Sequence, residues 1–277
     1  MKTAIIYGAT DTGKRIYNIV KNKYKVIGFV DGNPQLHGKT CEGFTIEDST
    51  TLKNSQVDYI IIGVLTAYRE IKKEILGLGI SEYKIIEKYV ELPIQARIEC
   101  LKNIANILND NNVFGSCAEL GVYQGEFSKL INEIFSDRKL YLFDTFNGLP
   151  EKDSEYDNKN GYASAKSGHF SNTSEHLVLD KMKYKKNCII CKGYFPQTAL
   201  NIDDTFCFVN LDADLYKPTI EGLKYFYPRM ESGGIILIHD YFSTAFKGVK
   251  EAVREFSDTY NVKYVPIGDT FSVAIIK

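Results

Sequence analysis

Three stretches of this 277-residue sequence concentrate side chains that do chemistry. Leu211-Asp212-Ala213-Asp214-Leu215-Tyr216 sets two carboxylates at and just past an apolar run, and His239-Asp240 ends the next such run with an imidazole and a carboxylate. Adjacent strands of one sheet would bring these four groups into one crevice. Clustered like charges are costly unless a cation or a shared proton compensates them. A hard divalent cation such as Mg²⁺ would do so, and would also bind an acceptor hydroxyl, lower its pKa and orient its oxygen for attack. Asp212 and Asp240 are the expected ligands, with Asp214 either a third ligand or the general base. His239 has two active roles open to it, base or ligand, and as a ligand it suits Mn²⁺ or Fe²⁺ better than Mg²⁺. A neutral His239 hydrogen-bonded at the sheet edge is the structural alternative.

The third stretch, Glu119-Leu120-Gly121-Val122-Tyr123-Gln124-Gly125, is a glycine turn, followed one strand later by Asp144 in YLFDTFNGLP. Gly121 lets the chain turn tightly, and Gly125 lets a helix begin close to a ligand. A carboxylate at Asp144 can accept both hydroxyls of a ribose. No Gly-x-Gly-x-x-Gly run occurs here, and Glu119 would repel a pyrophosphate. Its charge fits the cationic amino-acid end of S-adenosylmethionine (SAM) better than NAD. A tight turn with a helix cap and no ligand remains the alternative. Tyr194 or Phe195, after Gly193, could stack on a base, and either could equally be core.

These residues need a parallel sheet to position them. The pattern predicts strands over 114–120, 140–144, 188–192, 206–212, 234–240, 262–267 and 271–276, with helices over 126–135, 174–181, 219–227 and 246–260. The last two strands are separated only by Gly268-Asp269-Thr270 and should pair as an antiparallel hairpin. Glu119, Asp144, Asp212 and Asp240 then all fall at carboxyl ends of strands, where doubly wound sheets bind ligands. Residues 1–92 read as a separate, small Rossmann-like unit with strands over 3–7, 26–31, 57–64 and 84–86, a short pair at 38–40 and 45–46, and helices over 14–21 and 67–78. Pro93 is expected to end whatever precedes it. A connecting helix follows within 93–112, with Ile98, Leu101, Ile104, Ala105 and Leu108 on one side, and the second domain occupies 113–277. The polar stretch at about 150–174 has little periodicity and reads as a disordered insertion or a lid over the acceptor, with Tyr162, His169 and Phe170 as contacts.

Composition sets outer bounds. A net charge of −1 and a pI near 6.5 give no global field for nucleic acid, and no apolar run approaches a membrane span. The opening MKTAIIYGATDTG reads as a first strand rather than a signal peptide. Six scattered cysteines, including Cys188 and Cys191 in CIIC, read as buried thiols in a reducing cytoplasm.

The combination AELGVYQGEFS (118–128), YLFDTFNGLP (141–150), KGYFPQTA (192–199), NLDADLY (210–216), GGIILIHDY (233–241) and GVKEAVREF (248–256) resembles the macrocin O-methyltransferase family of class I SAM-dependent enzymes that modify sugars. The resemblance implies that Glu119 and Gly121 line the methionine end of SAM and that Asp144 holds the ribose. It also implies that the segment at Gly193, Tyr194 and Phe195 closes over the adenine. Tyr123, Gly125, Ser128 and Thr145 fall within the same motifs as further cofactor contacts. It further implies a divalent cation on the strand-end aspartates, a nearby Asp or His as base, a sugar or nucleotide-sugar acceptor, and a homodimer. Characterised relatives carry an Asp-Asp pair where this chain has His239-Asp240, which places the identity of the cation in question.

The first unit, with Gly8-Ala-Thr-Asp-Thr-Gly13-Lys14 and VIGFVDGNPQLHGK, resembles the small Rossmann-like domains of nucleotide-sugar enzymes such as bacterial sugar acyltransferases. Asp31 ends the second strand, where a ribose-binding carboxylate would stand; the resemblance implies a nucleotide-sugar or other nucleotide with phosphate at the amides of residues 9–14, and a domain kept for packing or dimerisation is the alternative. Arg15 stands where a phosphate loop would need Ser or Thr. An NAD-dependent sugar oxidoreductase lacks its glycine spacing, and no Tyr-x-x-x-Lys pair follows at a suitable distance. A non-catalytic nucleotide-sugar and SAM sensor would not need so many charges.

Overall fold

A computed structural model describes residues 1–65 and 67–277, which form two compact units, Met1–Ala96 and Arg97–Lys277. The first unit has strands β1 (Thr3–Tyr7), β2 (Lys25–Asp31), β3 (Thr40–Cys41), β4 (Phe44–Asp48), β5 (Tyr59–Ile62) and β6 (Ile85–Ile86), with helices α1 (Asp11–Val20) and α2 (Tyr68–Gly77). Its sheet order is β3-β4-β2-β1-β5-β6, parallel except for the β3–β4 hairpin. Apolar runs such as Ala4–Tyr7 and Ile60–Ile62 are buried, as strands covered on both faces must be.

Helix α3 (Lys88–Asp110) runs through Pro93 rather than stopping there. Proline removes one amide from the helical ladder. Apolar positions on both sides of it, Val90 toward one core and Leu101 toward the next, are fully buried, and that packing carries the helix across the break.

The second unit contains β7 (Ser116–Leu120), α4 (Glu126–Ile134), β8 (Leu140–Asp144), α5 (Glu151–Lys159), α6 (Glu175–Lys181), β9 (Cys188–Lys192), β10 (Phe206–Leu211), α7 (Tyr216–Phe226), β11 (Met230–Ile238), α8 (Lys247–Tyr260), β12 (Tyr264–Pro266) and β13 (Val273–Ile276). The sheet order is β12-β13-β11-β10-β7-β8-β9, with β13 antiparallel to both neighbours and all other pairs parallel. This is the doubly wound class I methyltransferase sheet with its terminal hairpin, as the spacing predicts. From β7 the chain winds outward through β8 and β9, then returns to β10 on the other side of β7. The crevice between β7 and β10 is therefore the topological switch point.

One face of this sheet packs Phe143, Phe195, Phe206 and Phe226 with Val253 and Phe256 of α8. The other packs Leu101, Ile104 and Leu108 of α3 with Ile131, Phe135 and Phe208. The stretch expected to lack regular structure contains α5, because its buried face is made of Asp153, Ser154 and Asp157 rather than apolar residues.

Gly121, at φ 88°, follows β7 against the residue after β10: a Cβ there would lie 2.0 Å from the Asp212 carbonyl oxygen. Backbone cannot swing aside as a side chain can. Gly121→Ala is expected to cost about 2–4 kcal/mol, whereas Gly28→Ala, with nothing within 4 Å of its Cβ, should be tolerated. Thermal melts of both variants check this; a Gly121→Ala protein that melts with the wild type would contradict the close approach.

Candidate active site

The glycine-turn half of the crevice is built on amides. Asp144 Oδ2 accepts from Val122 N and Tyr123 N, both at 2.8 Å, and Oδ1 accepts from Phe146 N at 2.7 Å. Its first task is thus to brace the glycine turn, which carries left-handed conformations at Gly121, Tyr123 and Gly125. A carboxylate has about four acceptor positions, so three amides leave it little capacity for two ribose hydroxyls. Thr145 Oγ1 donates to Gly148 O at 2.7 Å and closes the next turn. Gly193 N donates to Asp144 O at 2.9 Å, which fixes the loop after β9 beside β8.

Glu119 is 2% exposed. Its Oε1 accepts from Asn210 Nδ2 at 2.9 Å across the β7–β10 pair, and Ser128 Oγ, on α4, donates to Oε2. Burial pushes its carboxyl up to about 8, and the nearby Asp212 charge adds to this against the hydrogen bonds from Ser128 and Asn210. Tyr123 reaches outward: its OH donates to Asn172 Oδ1 at 2.9 Å, and its carbonyl accepts from Thr173 Oγ1. Tyr194 OH donates to Asp153 Oδ1 at 3.0 Å. Phe195 is committed to the core, 5.5 Å from Tyr225, 5.4 Å from Phe143 and stacked 5.7 Å from Phe226. Of the two aromatics considered for stacking, only Tyr194 retains an exposed portion.

The reactive half lies at the ends of β10 and β11. Single ligand atoms of Asp212, His239 and Asp240 lie within 4.8 Å of one another. His239 Nδ1 sits 3.1 Å from Asp212 Oδ1 and 3.0 Å from Asp240 Oδ2, yet is buried without a hydrogen-bond partner. Two oxygens and a nitrogen converging on one point, with the nitrogen unsatisfied, form a donor set that fits a divalent cation. Asp214 and Asp240 both adopt left-handed φ, 60° and 58°, a conformation that aspartate tolerates better than most residues. Burial and then Asp240 and Asp212 raise the Asp214 carboxyl well above its ordinary range.

Arg97 completes the charge balance. Its Nη2 lies 3.3 Å from Asp212 Oδ2 and 3.1 Å from Asn210 Oδ1, with the guanidinium 4.2 Å from the Phe127 ring centre. Burial alone would raise the Asp212 carboxyl, but His239 and Arg97 outweigh it and hold the group at about 2. Burial and Arg97 oppose protonation of His239, but Asp212 and Asp240 prevail and push it up to about 10. An imidazole that carries this proton would have to release it before it could ligate a metal or act as a base.

The structure thus brings together Asp212, Asp214, His239 and Asp240, and sets Glu119, Gly121 and Ser128 beside them across β7–β10. Sequence reasoning missed Arg97 and Asn210. Each had a signal: Arg97 shares the helical stripe of Leu101, Ile104 and Leu108, and Asn210 interrupts the buried run FCFVNL.

In the first unit, the expected phosphate loop spends its amides internally. Gly8 N bonds Val30 O, Ala9 N bonds Asp31 Oδ2, Gly13 N bonds Thr10 Oγ1, and Lys14 N bonds Thr10 O. Asp31 Oδ1 also accepts from Asn33 N at 2.8 Å. A Cβ on Gly13 would lie 1.9 Å from Gly8 O, so backbone packing accounts for the glycine. The amides at 9, 13 and 14 are therefore not held out for a ligand as the sequence suggested.

A doubly wound sheet with a terminal antiparallel hairpin and carboxylates at its switch point defines the class I methyltransferase fold. The chain belongs to the macrocin-O-methyltransferase (TylF) family, whose model matches residues 93–273; a C2185-like N-terminal model matches residues 1–86. Demethyldecarbamoylnovobiocin O-methyltransferase of Streptomyces niveus is 26% identical over 184 residues, covering 60% of this chain and 68% of the relative. Mycinamicin III 3''-O-methyltransferase of Micromonospora griseorubida is 26% identical over 182 residues, covering 60% and 69%. Among solved structures, the O-methyltransferase NovP matches with a TM-score of 0.55 at 22% identity, covering 66% of this chain and 79% of that one. CalS11, a calicheamicin methyltransferase, matches at 0.56 and 17%, covering 76% and 93%. These structural likenesses show the fold.

Glu119 offers a direct check of the buried charge. Its folded pKa, about 8, lies above the ordinary 4.5. Between those values the folded chain holds a proton that the unfolded chain releases, so this group lowers stability as pH rises from about 4.5 to 8. Glu119→Gln removes that titration. Melting is expected to show the variant close to wild type near pH 4.5 and more stable than wild type near pH 9. A variant less stable at the higher pH would contradict a protonated Glu119.

Proposed function

We propose that this chain transfers the methyl group of SAM to a hydroxyl of a sugar, carried on a nucleotide, a glycan or a glycosylated natural product. The observation that carries this is the juxtaposition across β7 and β10 of a buried carboxylate at a glycine turn with the Asp212–Asp214–His239–Asp240 cluster. Glu119 would meet the ammonium of the donor, and the turn from Gly121 to Gly125 would lie along its amino-acid end. Relatives are named for demethyldecarbamoylnovobiocin, a rhamnosyl-tetracenomycin and mycinamicin III, which supports a sugar-bearing acceptor.

A divalent cation on Asp212, His239 and Asp240 would polarise the acceptor hydroxyl and offset the negative charge that raises the Asp214 carboxyl. Asp214, as base, then takes the hydroxyl proton while the oxygen attacks the methyl carbon. The C–O bond forms as the C–S bond breaks, and the electron pair leaves with sulfur as S-adenosylhomocysteine. Arg97 holds Asp212 in place and neutralises part of the cluster's charge.

Residues 150–174 are proposed as the acceptor-side cover. Leu149 bonds His169 O and Gly168 N, which brings the two ends of the stretch together, and Asn172 and Thr173 grip Tyr123 and Gln124 of the glycine turn. Cofactor turn and cover are thus one hydrogen-bonded assembly.

Incubation with SAM, Mn²⁺ or Mg²⁺ and a panel of nucleotide sugars and deoxysugar glycosides, read by mass spectrometry, tests this. S-adenosylhomocysteine and a singly methylated sugar are expected together. Asp214→Asn should keep SAM binding and lose about 10²–10⁴ in turnover. An Asn variant as fast as wild type would remove Asp214 as the base. SAM binding with no transfer to any acceptor would favour a sensor.

A further inference from the structure

Helix α5 is built in a way that packing alone does not explain. Asp153 and Asp157, one turn apart on its inner face, are both 0% exposed. Burying two carboxylates costs far more than burying two apolar side chains of like size. Burial pushes both carboxyls up, Asp157 to about 6. Asp153 Oδ2 has no hydrogen-bond partner, and neither does Oγ of the adjacent Ser154.

Each carboxylate reaches a different half of the crevice. Asp153 Oδ1 accepts from Tyr194 OH at 3.0 Å, and Lys152 Nζ stands 3.5 Å from the centre of the same ring. Tyr194 follows Gly193, which is tied to the Asp144 carbonyl at the carboxyl end of β8. That is the cofactor half. Asp157 accepts from Tyr216 N through both oxygens, at 3.3 and 3.2 Å. Tyr216 is the first residue of α7, two past Asp214, and a carboxylate there also meets the positive end of the helix dipole. Gly248 of α8 leaves it room, since a Cβ would lie 2.5 Å from Asp157 Oδ2. The rings of Tyr156 and Tyr216 stack at 5.5 Å and hold the same joint from outside.

We propose that α5 is a strut with two prongs, in which Asp153 positions Tyr194 on the cofactor side and Asp157 positions the Asp212–Asp214 loop through the start of α7. The proposal rests on the SAM-dependent reading of those two sides. It makes two residues one turn apart on one helix separable in their kinetic effects, which a purely structural role would not.

The test compares Asp153→Ala, Tyr194→Phe, their double variant and Asp157→Ala, each checked by thermal melting. SAM affinity is read by calorimetry, and kcat at saturating SAM by S-adenosylhomocysteine release. Asp153→Ala and Tyr194→Phe are each expected to weaken SAM binding about tenfold, with the double variant no worse than either single one, because they share one bond. Their kcat should stay within about twofold. Asp157→Ala should leave SAM affinity within about twofold and lower kcat about tenfold. Should Asp153→Ala fail to fold, Tyr194→Phe carries the same comparison. Folded variants that change both parameters alike, or neither, overturn the strut while the methyltransferase reading stands. Wild-type protein that binds no SAM overturns both, and is told apart by that result alone.

Discussion

Gly121 has no side chain, and the ends of two parallel strands meet where one would be. With the Asp212 carbonyl 2.0 Å from that absent Cβ, β7 and β10 stay in register to their last residues, Leu120 opposite Leu211. Everything reactive hangs on this join. It sets Glu119 against Asn210, brings Asp212 under Arg97, and lets the chain leave β7 as a glycine turn and β10 as an Asp-Ala-Asp loop. A side chain at this one position would separate the two halves of the crevice.

Once the strands meet, electrostatics dictates what the crevice can hold. Glu119 lies too deep to keep a charge near neutral pH without a cation beside it. Asp212 is held low because His239 and Arg97 flank it. The two sides thus wait for opposite compensation. A cationic ligand beside Glu119 would favour its anionic form, and a divalent cation held by Asp212, His239 and Asp240 would require the imidazole to lose its proton. Proton release would then accompany binding on both sides and make occupancy of each subsite sensitive to pH.

Much of this was legible in the sequence because parallel strands buried on both faces are nearly continuous apolar runs, and the chemistry stands at their ends. Strands 140–144 and 188–192 match residue for residue, and the terminal hairpin follows from a three-residue connection. What escaped has physical causes. The α5 helix hides from hydrophobic periodicity because Asp153 and Asp157 form its inner face. Pro93 marks a stop by local rules that burial of Val90 and Leu101 overrides. Arg97 looks like a solvated helix charge until its stripe is followed to Leu101 and Leu108. Asp144 also braces the glycine turn through the amides of Val122 and Tyr123, a role that its place at a strand end does not announce.

The central claim is that the β7–β10 crevice binds SAM through Glu119. Calorimetric titration of wild type and Glu119→Gln with SAM, and of wild type with NAD, tests it most directly. The account predicts saturable SAM binding that tightens as pH rises from about 6 to 8, by at most about tenfold per unit as Glu119 ionises. It also predicts a large loss of affinity in the variant and no binding of NAD. No SAM binding by wild type at any pH, or equal affinity in the Gln variant, would contradict it.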